Sequence, residues 1–146
     1  MQRIAAVFAA VWLGMQIMAG YVAAPVLFKT LPKLQAGAIA GELFACLAYS
    51  GLMVWLFVWW VSKRSATRAD RRTALWAGVL AVLLAVNQFL VTPVIEAHKT
   101  QTENWLLSLL GGSFGVWHGV SSLIFMLCAL LAAVAVWRLY AVKSYE

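Results

Sequence analysis

Charged side chains are scarce in this 146-residue chain. Only 11% of its residues are charged and five are acidic, whereas 64% are hydrophobic. An ordinary soluble domain is about 25% charged and about 45–50% apolar. A soluble fold of this size leaves about 30% of its unfolded surface exposed, so it could not hide this much apolar area. The composition excludes a disordered chain, a nucleic-acid-binding domain and a normal cytosolic enzyme. It requires a lipid bilayer as the solvent for most of the chain.

Residue types that carry catalytic chemistry are also few. The chain has two histidines and two cysteines, and it contains neither the metalloprotease pattern H-E-x-x-H nor the redox pattern C-x-x-C. Cys46 and Cys128 lie in apolar stretches without the spacing of a disulfide framework, so no structural disulfide is predicted. Most hydrolytic sites cannot be assembled from this set, and a non-enzymatic function is favoured.

Four long stretches are almost free of charge. A transmembrane helix needs about 20 mostly apolar residues, and each stretch is long enough. We therefore predict an all-α polytopic membrane protein, a single four-transmembrane-helix bundle over residues 1–146. The predicted spans are 4–27, 37–61, 74–95 and 113–137. A cleavable signal peptide is the alternative for the first stretch, but that stretch exceeds the 7–15 residues of a signal peptide's apolar region.

The positive charges are distributed unequally between the two sides of this predicted bundle. Eight lie on the side of both termini and three on the other: Arg3, Lys63, Arg64, Arg68, Arg71, Arg72, Arg138 and Lys143, against Lys29, Lys33 and Lys99. The positive-inside rule then predicts cytoplasmic termini in a bacterial inner membrane. The basic middle loop is interpreted as a topology signal, with attraction to anionic lipid as the alternative.

The first and third spans end alike. Residues 21–27 match residues 89–95 at a fixed offset, with Pro25 and Pro93 in equivalent places. Proline there is expected to stop or kink the helix at its outer end. The match predicts two pseudo-repeated helical hairpins, and shared membrane composition is the alternative explanation.

Each hairpin also carries a stripe of small residues in its second helix. Glycines at four-residue spacing let helix backbones approach closely in lipid, so a helix-packing role is predicted for them. The stripes are Gly37 and Gly41 with Ala45, and Gly111, Gly115 and Gly119.

Polar residues concentrate in the outer half of the predicted spans. Counting from the predicted helix ends, each helix places a polar or sulfur-bearing side chain roughly 6–11 Å below the outer surface. Polar residues in a membrane helix are candidates for function. The predicted outward-facing pocket consists of Tyr21, Glu42, Gln88, His118 and Ser121. Glu42 and His118 are interpreted as a proton relay or a substrate anchor, with plain interhelical hydrogen bonding as the alternative.

A soft-metal site is a second hypothesis for the same half. Thioether and thiolate groups select Cu(I), and imidazole adds a further ligand. The candidate ligands are Met15, Met18, Cys46 and His118. Methionine is also common in packed apolar interiors, which is the alternative explanation. A haem held by His118 and Met18 is a third hypothesis, since His98 lies too near the outer surface to be the second axial ligand.

The segment Gly20–Lys29 and the following Ala36–Phe44 resemble the bacterial relatives of eukaryotic transmembrane protein 205. The Thr92–Pro93 step and Trp117–Ser122 are similar to that family too, and the resemblance runs from about Gly14 to Leu130. It implies a four-helix inner-membrane protein of unassigned activity, with a loose kinship to copper-resistance D-type membrane domains. The association of the eukaryotic relative with platinum-drug resistance fits soft-metal handling. No catalytic residue carries over, and the lack of a second intramembrane histidine departs from a haem-type site.

Three functions therefore stay open. The first is copper handling or transport through the outward-facing pocket, with Cu(I) as the ligand. The second is a non-catalytic membrane scaffold or assembly factor, and the third is a haem-linked redox protein. The expected partners are the lipid bilayer and either another membrane protein or further copies of the chain.

Overall fold

The computed structural model describes residues 1–64 and 67–141, and it is helical in each segment with no strand among those residues. Lys143, which contributes to the charge asymmetry, lies outside the described residues. The elements in chain order are α1 (Gln2–Ile17), the π-helical segment π1 (Met18–Ala23), α2 (Ala24–Thr30), α3 (Lys33–Lys63), α4 (Arg68–Val86), the π-helical segment π2 (Asn87–Val91), α5 (Thr92–Thr100), α6 (Trp105–Leu110) and α7 (Phe114–Ala141).

Four continuous helices are long and apolar enough to cross a membrane. They comprise Gln2–Thr30, Lys33–Lys63, Arg68–Thr100 and Phe114–Tyr140. A helix satisfies its backbone hydrogen bonds within one segment, which is what the hydrocarbon region demands. The prediction of an all-α, four-helix membrane fold is confirmed. Each helix extends beyond its predicted span at both ends or at its C-terminal end, because helical geometry continues past the apolar residues.

The four helices form a bundle in which each packs mainly against two neighbours. α1 packs against α3 and α7, and α4 packs against the same two helices. We call the end that holds Met1, the α3–α4 connection and Tyr140 the terminal end. The opposite end, with the connections after α2 and α5, is the hairpin end. Hairpin 1 is residues 2–63 and hairpin 2 is residues 68–141.

The main core lies in the terminal half and draws on all four helices. Trp12 and Trp55 pack edge to face at its centre, with ring centroids 5.7 Å apart. The Trp12 indole donates to the Leu47 carbonyl oxygen at 2.9 Å, so its polar edge is satisfied. Alanines such as Ala9 and Ala77, both fully buried, belong to the same cluster as these rings. Small residues beside large rings allow close packing where lipid provides no hydrophobic driving force.

The connection at the terminal end is fixed by a helix cap. Thr67 accepts a hydrogen bond from the Asp70 backbone N–H and donates its hydroxyl to the Asp70 carboxylate at 2.6 Å. The Asp70 carboxylate also accepts from Gln2 at 3.1 Å, which ties the start of α1 to the start of α4. An N-terminal cap with an acidic residue in the first turn stabilises a helix start. The two hairpins are therefore joined at this end.

The hairpin half is packed differently. Its buried cluster consists of Val91, Val94, Ile95 and Trp117, all from hairpin 2. In the same half of hairpin 1, α2 and π1 have no buried residue. The two hairpins thus share one core near their termini and do not share one near their tips.

The two π-helical segments confirm a structural repeat. Both come just before a proline, which is the second residue of α2 and of α5. A proline ring clashes with the carbonyl four residues earlier, and widening the helix by one residue relieves that clash. The Ala24 and Thr92 N–H groups accordingly bond carbonyls five residues back. Of the two effects expected of Pro25 and Pro93, a stop of the helix does not occur, because the widened backbone lets each helix continue to Thr30 and Thr100.

Hairpin 2 contains a short helix, α6, that the charge pattern did not predict. Asn104 caps it by accepting hydrogen bonds from two backbone N–H groups. Gly111 and Gly112 follow with φ of 64° and 101°, a conformation that favours glycine. Gly111 therefore lies in a turn before α7 begins. Its assignment to the packing stripe of that helix is corrected accordingly.

Candidate functional site

The five residues of the predicted pocket lie mostly on the surface of the bundle. Tyr21 is 56% exposed. Glu42 and His118 are also exposed, while Gln88 and Ser121 are half-buried. Within the described chain, no hydrogen bond joins any two of these five side chains. What they share is the hairpin half of the bundle, not a hydrogen-bonded network.

Glu42 faces away from the bundle. The buried residues of α3 near it, Ala36, Ala40 and Leu47, lie along one side of the helix. At 3.6 residues per turn, Glu42 lies on the other side. A carboxylate on the lipid-facing side of a membrane helix is costly unless it reaches the head groups or meets another polar group.

Glu42 and His118 also lie at different depths. The rings of Phe44 and Phe125 pack with centroids 5.2 Å apart, which sets a common level for α3 and α7. Glu42 comes two residues before Phe44, and His118 comes seven before Phe125. At about 1.5 Å rise per residue, the two therefore differ in depth by roughly 7 Å. The geometry does not bring them together as a proton-sharing pair within one chain.

The four candidate soft-metal ligands are all exposed. Met15 and Met18 are 47% and 56% exposed, and Cys46 and His118 are exposed as well. The described residues contain no group of three or more His, Cys, Asp or Glu side chains placed to hold a metal ion. Phe8 and Phe57 pack on one flank of α1 and α3, and Met15 and Cys46 follow them on that flank by helical periodicity. His118 lies on another helix, α7.

Both histidines contact one phenyl ring at the hairpin end. The His118 ring stacks on Phe114 with centroids 5.7 Å apart, and the His98 ring meets Phe114 edge-on at 6.4 Å. His98 is half-buried, and its Nε2 atom has no hydrogen-bond partner in the part of the chain that the structure describes. Sequence reasoning placed His98 near the outer surface without linking it to His118. The four-residue spacing of Phe114 and His118 on α7 predicts the contact between these two rings. Nothing in the sequence pattern adds His98 to them.

Two glycines that were not singled out make the closest approaches inside the bundle. A Cβ atom at Gly51 would lie 2.7 Å from the Trp12 ring, and one at Gly20 would lie 2.5 Å from the Phe125 ring. Real Cβ atoms do not come so close to a neighbour, so only glycine fits these backbones against the rings. Gly20 joins hairpin 1 to α7, and Gly51 joins α3 to α1.

The four glycines predicted to pack helices have open space beside them. A Cβ atom at Gly37, Gly41 or Gly119 would meet nothing within 4 Å, and one at Gly115 would meet only the neighbouring Ser113 hydroxyl at 3.9 Å. These glycines therefore serve no close approach to any residue in 1–64 or 67–141. The missing side chains leave shallow faces on α3 and α7 in the hairpin half.

The interior between the two ends holds amide side chains. Gln16 is 1% exposed and donates from Nε2 to the Phe125 carbonyl oxygen at 2.9 Å, which links α1 to α7. Its Oε1 atom is buried without a partner, as is Oδ1 of Asn87 at the start of π2. Amide groups do not titrate, so this pair offers polarity and hydrogen bonding but no acid–base chemistry.

Sequence reasoning missed one pattern match. Residues 111–115 fit the G-x-S-x-G pattern of serine hydrolases. That pattern acts where a strand turns into a helix and a histidine contacts the serine. Here it follows helix α6, and no hydrogen bond to Ser113 from a histidine exists among the described residues. The match therefore lacks the context that hydrolysis requires.

Comparison with known proteins gives one finding. Residues 7–104 match the model of a protein family described as a domain of unknown function, DUF4149. The matched region covers most of hairpin 1 and the first half of hairpin 2, including both π-helical segments together with Pro25 and Pro93. Neither the curated proteins nor the solved structures include a match.

Proposed function

The chain belongs to the DUF4149 family, and we propose that it is a non-catalytic membrane scaffold that assembles with further copies of itself. The contact surfaces are two glycine faces in the hairpin half, which we call face A and face B. Face A is Gly37, Gly41 and Glu42 on α3, and face B is Gly115, His118 and Gly119 on α7. The observation that carries the proposal is the contrast between the open glycines of these faces and the filled glycines inside the bundle.

Glycine in a helix interior costs about 1 kcal/mol relative to alanine. A glycine without a packing partner therefore lowers the stability of its helix. In lipid, glycines four residues apart recover that cost when a second helix backbone packs against them. Gly20 and Gly51 recover it against Phe125 and Trp12 inside the bundle. The glycines of faces A and B lack such a neighbour within the described chain, which supports a neighbour in another molecule.

The directions of α3 and α7 support contact between face A of one copy and face B of the next. Both helices run from the hairpin end to the terminal end, so two copies inserted in the same orientation pack them in parallel. Parallel packing is the arrangement of the best-known glycine-pair dimer. Within the bundle α3 and α7 meet through the rings of Phe44 and Phe125, neither of which belongs to face A or face B. A contact between two different faces is a heterologous interface. Each added copy repeats it, so the copies form a row or a ring, which suits a scaffold.

The exposed polar residues fit the same arrangement. Face A carries an acid, Glu42, and face B carries a base, His118, and both are exposed in the hairpin half. A charge facing lipid is costly, and a polar partner from another helix removes part of that cost. Contact between the two faces replaces the lipid beside each group with a helix of the neighbouring copy. Glu42 and His118 stay roughly 7 Å apart in depth, so each group meets another part of the opposite face.

Energy transfer between labelled copies in lipid vesicles tests the proposal. Donor- and acceptor-labelled chains are mixed at increasing lipid dilution, and transfer is compared with that of Gly41→Leu/Gly115→Leu. We expect self-association to persist on dilution and to weaken about tenfold or more in the variant, because leucine side chains fill both faces. Gly14→Leu is the matched control, since a Cβ at Gly14 also meets nothing within 4 Å and lies on neither face.

Equal transfer for the wild-type chain and the double variant would contradict the proposal. So would transfer that falls with lipid dilution as it does for molecules that meet at random. Circular dichroism of all three proteins confirms that the variants remain folded.

The orientation and the membrane are part of the same proposal. The positive-inside rule supports cytoplasmic termini and an inner-membrane location, because the exposed cations at the terminal end outnumber those at the hairpin end. The whole chain then acts as one four-helix unit with faces A and B in the outer half of the bilayer. Reporter fusions at the terminal end and the hairpin end test this orientation. If a reporter that works only in the cytoplasm is active when fused after Thr100, the orientation is overturned.

Soft-metal handling is a second candidate function. The observation that favours it is the shared flank of Met15 and Cys46 on α1 and α3, which places a thioether and a thiol on one side of hairpin 1. The proposed kinship with transmembrane protein 205 and with copper-resistance D-type domains agrees with it. The haem alternative has weaker support, because His118 stacks on Phe114 while Met18 is exposed on a different helix.

Bound copper after Cu(I) loading of the detergent-solubilised protein tests the second candidate. We expect about one ion per chain, lost in Met15→Leu/Cys46→Ser and kept in the control Met53→Leu, which changes another exposed methionine of α3. Unchanged copper content in the double variant, or no copper in the wild-type chain, would overturn soft-metal handling. The His118→Ala variant shows whether the imidazole is a ligand as well.

A further inference from the structure

We propose that one anionic phospholipid binds at the terminal end, in a groove between α3 and α4. One of its acyl chains lies along the groove, and its phosphate is held by Lys63, Arg71 and Arg72. We call this the lipid groove. It lies at the opposite end of the bundle from faces A and B, and it does not depend on the scaffold proposal.

The lipid groove is an apolar depression on the outside of the bundle. It has a volume of about 380 Å³ and is lined by Trp59, Ala74, Leu75, Gly78, Val79, Val82 and Leu83. This volume lies within the range of about 300–1,000 Å³ that is typical of ligand pockets. Gly78 makes room for the Trp59 ring, since a Cβ there would lie 3.3 Å from it. The floor is therefore a flat indole surface, suited to a hydrocarbon chain.

The rim of the groove is open. Leu75 is 66% exposed and Val82 is 62% exposed, although both line it. The groove follows α4 along the membrane-facing side, so a lipid acyl chain is the occupant that reaches it without leaving the bilayer.

Cations stand at the terminal end of the same helix face. Arg71 and Arg72 come four and three residues before Leu75, so by helical spacing they lie on the side of α4 that carries the groove. Both are exposed. The face of α4 thus changes from basic to apolar in the direction of the membrane centre, as does a phospholipid from its phosphate to its acyl chain.

A third cation comes from α3. The Lys63 ammonium lies 4.7 Å from the centroid of the Trp59 ring that forms the floor. One residue on, Arg64 lies 3.9 Å over the ring of Trp60. Contacts between cations and aromatic rings hold these long side chains near the interface instead of leaving them extended in water. Lys63 is therefore positioned at the polar end of the groove.

The acidic side chain of this region is turned inward. Asp70 is 8% exposed, and its carboxylate accepts hydrogen bonds from Gln2 and Thr67. The exposed surface around the groove is therefore strongly basic. Each lysine or arginine near a membrane surface adds to the attraction for anionic lipid. Three such residues at one groove favour an anionic phospholipid over a zwitterionic one.

Native mass spectrometry of the detergent-solubilised chain tests the proposal. Phosphatidylglycerol and phosphatidylcholine with identical acyl chains are titrated separately. We expect one phosphatidylglycerol to be retained with about tenfold or greater preference over phosphatidylcholine. Arg71→Gln/Arg72→Gln should lose about tenfold in phosphatidylglycerol affinity, and Lys29→Gln/Lys33→Gln, at the hairpin end, is the matched control that should bind normally.

A second pair of variants tests the groove itself. Val82→Phe fills the groove without changing charge, and we expect it to weaken phosphatidylglycerol binding at least fivefold. Val134→Phe is its control on α7, where Val134 is 44% exposed. Loss of binding in the arginine variant with normal binding in Val82→Phe would show general attraction to a basic surface and would overturn the proposal.

Two further outcomes would also overturn it. One is equal retention of the two lipids by the wild-type chain. The other is displacement of phosphatidylglycerol by millimolar inorganic phosphate, which would identify a phosphate site that needs no acyl chain. Circular dichroism of each variant separates a loss of binding from a loss of fold.

Discussion

The terminal half and the hairpin half of this bundle are built from the same residue types and use them in opposite ways. In the terminal half, all four helices share a core of tryptophan, leucine and alanine, and Gly51 accepts the Trp12 ring. In the hairpin half, hairpin 2 has a small core of its own, and the glycines of α3 and α7 face open space. The difference separates a half whose interior holds the four helices together from a half whose glycine faces stay open among the described residues.

The contrast also divides the polar residues. Gln16, next to the shared core, is buried and donates a hydrogen bond to the Phe125 carbonyl oxygen. Those of faces A and B are exposed. Burying a polar group without a partner is costly, so a polar side chain in the membrane indicates either internal bonding or an external contact. Gln16 represents the first case, and Glu42 represents the second.

The largest expected effect comes from closing the tightest approach in the terminal half. Gly51→Leu places a side chain where the Trp12 ring already lies 2.7 Å from a Cβ position. Overpacking a core costs about 1–3 kcal/mol, and the rigid ring leaves little room to relax. We expect a loss of about 3 kcal/mol in unfolding free energy, measured by titration with sodium dodecyl sulfate in mixed micelles.

Gly14→Leu is the control for that experiment, because the same substitution in α1 meets open space. If Gly51→Leu is no less stable than Gly14→Leu, the terminal half is not the packed region described here.

A smaller effect is expected at the polar link between the hairpins. Gln16→Leu removes the hydrogen bond from α1 to the Phe125 carbonyl, but it also removes the unpartnered Oε1 atom. Interhelical hydrogen bonds in membranes contribute about 0.6–2 kcal/mol. We expect a loss of about 1 kcal/mol in the same unfolding measurement.

Gln35→Leu, at an exposed position of α3, serves as the matched substitution. A Gln16→Leu protein as stable as Gln35→Leu would mean that the two hairpins do not depend on this bond.

The smallest loss of stability is expected in the hairpin half. Gly37→Ala/Gly119→Ala adds two methyl groups where nothing lies within 4 Å. Alanine favours a helix more than glycine does by about 1 kcal/mol at each site. Unfolding of the monomer in detergent should therefore show no loss of stability and a gain of up to about 2 kcal/mol. Destabilisation by more than about 0.5 kcal/mol would place these glycines inside the fold after all.

The membrane spans could be predicted because charge distribution reports them directly. The gaps between Arg3, Lys29 and the later charges locate all four helices, and hydrocarbon leaves few alternatives to a helix. The repeat was also visible, since Pro25 and Pro93 stand at equivalent places. The effect of these prolines on the helix was not visible in the sequence. Relief of the proline clash by a π-helical segment depends on how the next turn packs.

The candidate site was harder to predict, for two physical reasons. Depth was counted from assumed helix ends, but α3 begins at Lys33, so Glu42 lies nine residues into its helix and His118 only four into α7. Glycine spacing shows that a backbone can be approached, but not from which side. Gly41 and Gly51 look alike in the sequence, and only the position of Trp12 distinguishes the filled one from the open one.

Cysteine crosslinking between faces A and B tests the central claim most directly. Both native cysteines are first replaced in a Cys46→Ser/Cys128→Ala background, and Gly41→Cys and Gly119→Cys are then made in separate, differently tagged chains that are co-expressed. The account predicts that mild oxidation of the membranes gives a disulfide-linked pair carrying both tags, while Gly14→Cys paired with Gly119→Cys stays monomeric. Monomers in both cases, or equal crosslinking at Gly14 and Gly41, would contradict it.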